Sequence, residues 1–410
     1  MTGPGATGRL PLQGIRVIEL ARVYAAPWAC QMLGDFGAEV IKIEHPAGGD
    51  MLRSIQPGFI PDGEGQPTKD SAKFASSNRN KRSITIDISR PEGAALVRRL
   101  AADADVLVEN YKVGDLARYG LDAETLRADN PGLIYLSVTG FGQTGPRRQV
   151  GALDAMIQAY AGFMSVNGED GGDPLKSNVN VMDFTTGMYS AVALLLALYD
   201  RRTTGQGTHI DLSLFDCGVA MMSFLLLPTL ALGEPLPRTG SRNDDWVPSG
   251  TFPTADRPVY LAVGPDAQFA ALARAIGKPE WLENPDFAER ARRRPRHAEI
   301  HALMQTALLD HGADHWVEVL SQVGVLAASV QDLATVAEDP QTKARGLMQT
   351  VRHAAGAEIP LVRNPVRMTD AAPWSLGPPP LLGQHTAEVL AEKLGLDAAE
   401  VETLRAGGVI

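Results

Sequence analysis

The sequence predicts an α/β fold in which helices cover both faces of a parallel β-sheet. Along the first half of the chain, short apolar runs alternate with segments whose apolar residues recur at helical spacing. Such alternation is typical of parallel sheets joined by right-handed crossovers. The chain has 410 residues, 44% hydrophobic and 21% charged, which is the composition of a globular protein with about two to three domains.

The individual elements can be placed along the chain in order. Apolar runs predict strands over 15–20, 38–44, 83–88, 105–109, 133–138 and 209–215. Helical spacing predicts helices over 26–36, 92–102, 123–128, 154–166 and 185–199. Beyond them, a smaller unit is expected to carry strands near Thr251 and over 259–263. The proline-rich tail after Pro360 is expected to lie extended on another surface before a last helix over 385–394.

Composition and short motifs exclude several classes of protein. The formal charge of −10 argues against a general nucleic-acid-binding protein, which needs a basic surface to bind phosphates. No GxGxxG turn follows the first strand, which disfavours NAD. The two cysteines, Cys30 and Cys217, lack metal-ligand spacing, so neither a zinc site nor a disulfide framework is expected. With no secretory signal, and apolar stretches over 191–199 and 219–232 too short to span a bilayer, we expect a cytoplasmic protein without membrane partners.

Six short strings in a fixed order are the most specific feature of the sequence. They are GAEVIKIE at 37–44, NRNKRS at 78–83, ADVLVENY at 104–111, GFGQTGP at 140–146, DFTTG at 183–187 and LGQH at 382–385. In this order and with these separations they closely resemble the family III coenzyme A transferases, the group related to formyl-CoA transferase and carnitine CoA-transferase. The resemblance runs from about residue 12 to residue 410.

The resemblance implies an architecture that periodicity alone does not show. It implies a Rossmann-like large domain built from both chain ends, a smaller α+β domain, and a homodimer of two interlocked rings. The expected boundaries are 1–218 for the first part of the large domain, 219–250 for a connecting segment, 251–332 for the small domain and 333–410 for the return segment. The family active site lies between the large domain of one chain and the small domain of the other.

Asp183 matches the catalytic aspartate of the family. An aspartate with an ordinary pKa near about 4 is ionised at neutral pH and can attack a thioester carbonyl without a base. The resemblance implies CoA transfer from an acyl-CoA to a small carboxylic acid through an aspartyl-CoA thioester. Succinyl-CoA and a small dicarboxylate are the preferred pair, with Arg238 and Arg242 as possible partners of the acceptor carboxylate. From the residues alone, Asp183 can equally be the cap of a helix beginning near Thr185.

Four further residues match positions near the reacting groups of the family. Tyr24 and Asp154 line the site in the transferases, although the family often has Gln at the position of Tyr24. Val23 and Ala25, which flank Tyr24, are expected to contact the CoA thioester, and backbone N–H groups of this turn are candidates for stabilising the oxyanion. The alternative, purely structural roles are a half-buried side chain for Tyr24 and a second helix cap for Asp154.

The CoA nucleotide requires local basic and aromatic groups on this acidic protein. The resemblance places Arg118 at the nucleotide end of CoA. It places six other candidate CoA contacts at Val23, Ala25, Asn110, Tyr111, Ile86 and Tyr119. His45 and Ser89 stand where the formyl-CoA transferase pattern has basic residues, so His45 is a further candidate and the phosphate contacts are expected to differ. CoA is expected as a thioester substrate, with no bound cofactor.

Two alternative functions and one alternative site remain at the sequence level. Alpha-methylacyl-CoA racemases share the fold, but their proton-transfer histidine is replaced by Leu153. A non-catalytic acyl-CoA-binding protein would also have this fold, although the string at 183–187 is intact. His297 and His301 have the i,i+4 spacing of metal ligands without a third ligand in the sequence, so no metal is expected.

Overall fold

A computed structural model describes residues 9–243, 245–368 and 376–410 of the protein. Part of the proline-rich tail, including Pro373, lies outside the described residues. The strands of the described chain are β1 (Arg16–Glu19), β2 (Glu39–Glu44), β3 (Phe59–Pro61), β4 (Pro67–Ser71), β5 (Lys81–Thr85), β6 (Val106–Glu109), β7 (Ile134–Thr139), β8 (His209–Ser213), β9 (Ser249–Phe252), β10 (Val259–Ala262), β11 (Leu326–Ser329), β12 (Met348–Arg352) and β13 (Glu358–Val362).

Helices connect and cover these strands. They are α1 (Ala25–Asp35), α2 (Ala72–Ser77), α3 (Pro91–Ala102), α4 (Ala123–Asp129), α5 (Asp154–Tyr160), α6 (Phe163–Val166), α7 (Val181–Thr204), α8 (Leu214–Met221), α9 (Ser223–Leu232), α10 (Asp266–Ala275), α11 (Pro285–Ala288), α12 (Arg290–Arg293), α13 (His297–Ala307), α14 (Ala313–Gln322), α15 (Leu333–Glu338), α16 (Pro340–Ala344), α17 (Thr386–Leu394) and α18 (Ala398–Ala406). Within the described residues, 3₁₀ helices cover Met51–Ser54, Leu116–Tyr119, Pro279–Glu283 and Arg294–Arg296.

A six-stranded parallel sheet organises the first compact unit. Its strand order is β5-β2-β1-β6-β7-β8, and every neighbouring pair is parallel. The α/β fold class predicted from the alternation of elements is therefore confirmed. The chain moves outward from β1 to β2 and β5 and then crosses to β6 on the other side of β1. This reversal of strand order creates a crevice at the carboxyl ends of β1 and β6, where ligands bind in open α/β sheets.

Residues near both chain ends build this unit. It runs through Gly162 and includes Ser177–Leu226 and Gln341–Ile410. The backbone N–H of Thr85 donates to the Thr386 hydroxyl at the start of α17, 3.0 Å away, and the N–H of Asp87 donates to the carbonyl of Val409. Side chains of α17 and α18 are buried in the same core as the central strands. The C-terminal segment therefore completes the core that the N-terminal strands begin.

The second compact unit comprises Phe163–Lys176 and Leu227–Pro340. Its antiparallel sheet has the order β11-β10-β9, and α10, α13 and α14 contribute buried side chains to a separate apolar core. The strands expected near Thr251 and over 259–263 correspond to β9 and β10. The domain boundaries expected at 218, 250 and 332 stay a prediction. Phe163–Lys176, which those boundaries assign to the large domain, groups with the second unit.

Two predicted helices differ from the structure. The helix expected over 154–166 is divided into α5 and α6, because the turn between them passes through Gly162 at φ +82°. The helix expected over 185–199 is the longer α7, which by length and composition is long enough and apolar enough to cross a membrane. α8 and α9 pass the same test only as one span, and they are bent by 64°. The core helix of a globular protein also passes this test. α7 is tied to the sheet by an ion pair between Arg201 and Asp105, the residue before β6, at 2.6 Å.

Gly187 permits the close packing of α7 against the start of α1. A Cβ atom at this position would lie 2.7 Å from the backbone carbonyl oxygen of Ala25 and 3.0 Å from the Trp28 ring. Backbone atoms cannot yield as a flexible side chain can, so a larger residue must move one helix away from the other. The glycine therefore sets the distance between α7, which carries Asp183, and α1, which begins directly after Tyr24.

We expect Gly187→Ala to lower the free energy of unfolding by roughly 1–2 kcal/mol, because the steric cost exceeds the gain in helix propensity. Urea unfolding followed by circular dichroism measures the change. Gly151→Ala is the control, since its added Cβ meets no atom within 4 Å. Equal stability of both variants would contradict the packing role.

Candidate active site

A cavity of about 260 Å³ opens at the carboxyl ends of β1 and β6. Its walls come from the β1–α1 loop, the loop after β6, the segment before α5 and the first turn of α7. We call it the Asp183 cavity. The residues that line it are Arg22, Val23, Tyr24, Ala25, Asn110, Tyr111, Lys112, Val113, Val138, Thr139, Gly140, Arg148, Gln149, Val150, Gly151, Ala152, Leu153, Asp154, Asp183 and Leu214.

Asp183 lies in the first turn of α7 and is 6% exposed. Asn180, the residue before the helix, donates a side-chain N–H to the Asp183 carboxylate at 3.2 Å. Burial, and next the negative charge of Asp154, raise the pKa of Asp183 to about 7, while the Asn180 hydrogen bond opposes the shift. The ordinary pKa expected from the sequence is therefore wrong for this carboxyl. Only part of the population is ionised at neutral pH.

Asp154 caps α7 from the neighbouring helix. One of its carboxylate oxygens accepts the backbone N–H of Met182 at 2.8 Å and that of Asp183 at 3.0 Å. The other oxygen accepts an N–H from the Gln158 side chain one turn further along α5. Because α7 begins at Val181, Asp183 lies inside the helix, and the predicted cap of a helix at Thr185 is wrong. Asp154 performs that capping role across helices.

Tyr24 is the residue before α1 and makes no side-chain cap hydrogen bond. Burial, the charge of Asp183 and the charge of Asp50 raise the pKa of its phenol, which is therefore protonated at neutral pH. Its ring lies 5.7 Å from that of Phe184, the neighbour of Asp183. The Tyr24 side chain therefore does not cap the first N–H groups of α1, which belong to Ala25 and Ala26, and Pro27 has no N–H group.

Comparison with known proteins identifies the family. The sequence pattern of CoA-transferase family III matches residues 12–386. The succinate–glutarate CoA-transferase of Agrobacterium fabrum is 42% identical over 382 residues, 93% of this chain and 95% of that protein. The human succinyl-CoA:glutarate CoA-transferase is 33% identical over 400 residues, covering 98% and 90%. A CAIB/BAIF family structure from Brucella suis has a TM-score of 0.86 at 40% identity, covering 94% of this chain and all of the other.

The chain belongs to CoA-transferase family III. The resemblance noted on six strings of residues is therefore confirmed, and this transferase uses CoA thioesters as substrates. The roles of individual residues stay predictions. Five predicted residues besides Asp183 and Asp154 meet at the Asp183 cavity: Val23, Tyr24, Ala25, Asn110 and Tyr111. Leu153, which stands in place of the racemase histidine, lines the same cavity.

The predicted nucleotide contacts are only partly brought together. Arg118 and Tyr119 line a second cavity of about 440 Å³, here called the Arg118 cavity, with Ile88, Ser89, Arg90, Pro91, Ala94, Ala95 and Arg98. Ile86 is not part of either cavity's lining, because it is 2% exposed and packs inside the core. His45 also lies outside both linings, where its largely exposed ring faces Asp87 at 3.8 Å.

The arginines suggested for the acceptor carboxylate have partners within the second unit. The Arg238 guanidinium donates to the carbonyl oxygens of Gly172 and Ser165 and so holds the segment before α7. Arg242 pairs with Asp170 at 3.1 Å. Among the described residues, no group of three or more His, Cys, Asp or Glu is arranged to hold a metal ion.

Several residues of the site were not found by sequence reasoning. Asn180 and Gln158 orient the two carboxylates, and Arg148 and Gln149 add polar groups to the Asp183 cavity. The two basic residues that follow the string at 140–146 are a usable signal for Arg148. No local pattern marks Asn180 or Gln158, because their contacts form only when α5 and α7 pack together.

The raised pKa of Asp183 predicts a pH dependence of turnover. We expect kcat to rise with pH through about 7, with roughly a tenth of the plateau value at pH 6, because only the ionised carboxylate is a nucleophile. Asp154→Asn removes the negative charge that raises the pKa of Asp183, so the rising limb of the pH profile of kcat is expected to move to lower pH. Steady-state rates between pH 5 and 9 measure it, with the exposed Glu402→Gln as control. An unchanged limb in Asp154→Asn would mean that another group titrates.

Proposed function

We propose that this transferase moves CoA from succinyl-CoA to a dicarboxylic acid of the size of glutarate through a thioester on Asp183. The buried carboxylate of Asp183, inside a cavity at the switch point of the sheet, is the observation that carries the proposal. The relatives named as succinate–glutarate and succinyl-CoA:glutarate CoA-transferases support this choice of donor and acceptor. A cytoplasmic location is part of the proposal, and the two free cysteines, Cys30 and Cys217, fit a reducing compartment.

The first half-reaction forms the enzyme thioester. An oxygen of ionised Asp183 attacks the thioester carbonyl carbon of succinyl-CoA, and the carbon–sulfur bond breaks to release CoA thiolate. The product is a mixed anhydride between succinate and Asp183. The thiolate then attacks the side-chain carbonyl carbon of Asp183, so that succinate leaves as a carboxylate and CoA is bonded to the aspartyl group.

The second half-reaction is the reverse sequence with a different acid. The acceptor carboxylate attacks the aspartyl-CoA carbonyl and expels the thiolate, which forms a second mixed anhydride. The thiolate attacks the acceptor's carbonyl carbon in this anhydride. The new acyl-CoA forms and Asp183 leaves as a free carboxylate. One thioester replaces another, so neither ATP nor a net proton transfer is needed.

Stabilisation of the negative oxygen is assigned to the start of α1. Each attack converts a carbonyl oxygen into an oxyanion, and fixed N–H donors aimed at it usually contribute most to acyl transfer. Tyr24 and Ala25 line the Asp183 cavity at the positive end of an 11-residue helix, and we assign the oxyanion to their N–H groups. The protonated Tyr24 phenol is a further donor in the same wall.

The Arg118 cavity is proposed to bind the nucleotide end of CoA. Arg90, Arg98 and Arg118 bring three guanidinium groups to it, and Tyr119 offers a ring for the adenine. Arg98 pairs with Asp129 and Arg118 pairs with Asp115 at the protein surface. Exposed pairs of this kind are weak, so phosphate groups can compete for the guanidinium groups.

Trapping of the enzyme thioester tests the function. We expect succinyl-CoA without acceptor to leave a CoA adduct on the peptide that contains Asp183, detected by mass spectrometry. Asp183→Ala should lose the adduct and at least about a thousandfold in kcat, because the nucleophile is absent. Glutarate and other dicarboxylates should discharge the adduct faster than butyrate. Turnover that survives in Asp183→Ala would contradict the mechanism.

The proposed assembly is an interlocked homodimer. On α7, the exposed apolar side chains of Met188, Val192, Leu195 and Tyr199 recur at i, i+4, i+7 and i+11 and form one stripe. Such a stripe is the pattern that packs against another helix. Chain that continues through a separate middle unit and returns to the first unit is the connectivity that two interlocked rings require.

We expect sedimentation velocity to give a species of twice the chain mass that persists on dilution to nanomolar concentration. Leu195→Glu on the stripe should abolish soluble dimer, because it places a charge in an apolar interface. Leu333→Glu is the matched control, since Leu333 is 88% exposed and lies outside the stripe. An active monomer would contradict the proposed assembly.

A further inference from the structure

The β1–α1 loop contains a backbone conformation that its residue type disfavours. Val23 has φ +70°, in the left-handed region, although it is β-branched. Asn80 is the other non-glycine residue with positive φ among the described residues. Strained conformations of this kind persist only where the surroundings fix them, and they cluster at functional sites. Val23 immediately precedes Tyr24, whose N–H is one of the proposed oxyanion donors.

Asp50 fixes Val23 from one side. Both carboxylate oxygens of Asp50 lie 3.2 Å from the Val23 backbone nitrogen, which donates to them. One of these oxygens also accepts the N–H of Leu52 at 3.0 Å. The Asp50 side chain is fully buried and its other oxygen lies 3.0 Å from the ammonium group of Lys42.

The position of Asp50 is itself fixed by buried charges. Lys42 pairs with Glu19 of β1 at 2.9 Å and donates to the carbonyl oxygen of Ala21 at 2.8 Å. Lys42 and Glu19 are fully buried in the central strands of the sheet. Asp50 therefore connects the rigid sheet to the amide of one loop residue.

Asn110 holds the same loop from the other side. Its side-chain oxygen accepts the N–H of Arg22 at 2.9 Å, and its side-chain nitrogen donates to the Arg22 carbonyl at 2.7 Å. The amide groups of Arg22 and Val23 are thus both bound by side chains from separate parts of the sheet edge. This arrangement over-determines the loop conformation, as a strained residue requires.

We propose that Asp50 is a positioning residue for acyl transfer: it holds Val23 in the left-handed conformation and so aims the N–H groups of Tyr24 and Ala25 at the oxyanion. The inference rests on the proposed function of the Asp183 cavity. Asp50 is not part of that cavity's lining, so it acts through the Val23 amide and does not touch substrate. A purely structural role, as the cap of the 3₁₀ helix Met51–Ser54, predicts a loss of stability without a loss of kcat.

Asp50→Asn is the first test, because asparagine keeps the shape but loses the charge and one acceptor. We expect kcat to fall by about tenfold to a hundredfold, since misplacement of donors by under an ångström costs this much in acyl transfer. The KM for succinyl-CoA should change by less than about threefold, because the Arg118 cavity is untouched. An unchanged kcat would overturn the proposal.

Val23→Gly provides the decisive rescue. Glycine adopts φ +70° at no steric cost, so the loop no longer needs Asp50 to hold it there. The double variant Asp50→Asn with Val23→Gly should recover kcat to within about threefold of Val23→Gly alone. A double variant as slow as Asp50→Asn would show that Asp50 does not act through Val23, and the proposal would fail.

Asp70→Asn is the matched control for a buried carboxylate. Asp70 pairs with Arg53 at 2.6 Å and is 6% exposed, against 1% for Asp50, and among the described residues its side chain makes no hydrogen bond to the β1–α1 loop. This variant should lose stability and keep kcat. If Asp50→Asn does not fold, Asn110→Ala releases the other side of the loop. It should then show the same kcat loss and the same rescue by Val23→Gly, and absence of both would overturn the proposal.

The CoA adduct distinguishes a failure of the proposed function from a failure of the positioning role of Asp50. A wild-type protein that turns over without forming an adduct on Asp183 would contradict the proposed function. The comparison of kcat between Asp50→Asn and its double variant would still decide the positioning role. Normal adduct chemistry with no rescue would contradict the positioning role alone.

Discussion

A buried group of four charges at the sheet edge is the interaction on which the site depends. Glu19 of β1 lies between Lys42 of β2 and Lys81 of β5, at 2.9 and 2.8 Å, and Lys42 also reaches Asp50. Burial lowers the pKa of Lys42, but the surrounding carboxylates outweigh it and the net shift is upward. At Lys81, burial is the larger effect and its pKa is lowered. The two lysines and two carboxylates lie within ion-pair distance of one another, which is the condition under which buried charge is tolerated. Lys81 also donates to the carbonyl of Pro27, so the group fixes the sheet, the loop and α1 together.

The two carboxylates of the cavity place catalysis and stability in opposition. The folded-state pKa of Asp183, about 7, lies above its ordinary value of 3.8. The contribution of this group to stability is therefore complete below the ordinary pKa and is lost as pH rises through about 7. The ionised form, which is proposed to attack the thioester, is the form that the fold disfavours. Asp154 contributes to the raised pKa of Asp183, and hydrogen bonds from the N–H groups of Met182 and Asp183 hold its carboxylate beside that residue.

Much of the fold could be predicted from the sequence because its information is local. Apolar runs such as 15–20 and 105–109 mark buried strands of a parallel sheet, and Pro91 marks the start of α3. The β3–β4 and β12–β13 hairpins were missed, since their strands are only three to five residues long and β3, β4 and β13 each contain a proline. For the site, the aspartate string at 183–187 was sufficient to select Asp183. Ile86 and His45 were predicted to contact CoA because they match positions of the family pattern. In the structure, Ile86 lies in the core and the His45 ring is largely exposed.

The sequence by itself determined the α/β class, the family and the choice of Asp183 as the proposed nucleophile, because strand and helix periodicity and short ordered motifs are properties of neighbouring residues. Only the tertiary structure decided the chemistry around that nucleophile. The pKa of Asp183 depends on Asp154, 29 residues away along the chain, and the conformation of Val23 depends on Asp50, 27 residues away. Desolvation and hydrogen-bond geometry are properties of packing in space. They arise only when the strands and helices pack together, so no local sequence pattern contains them.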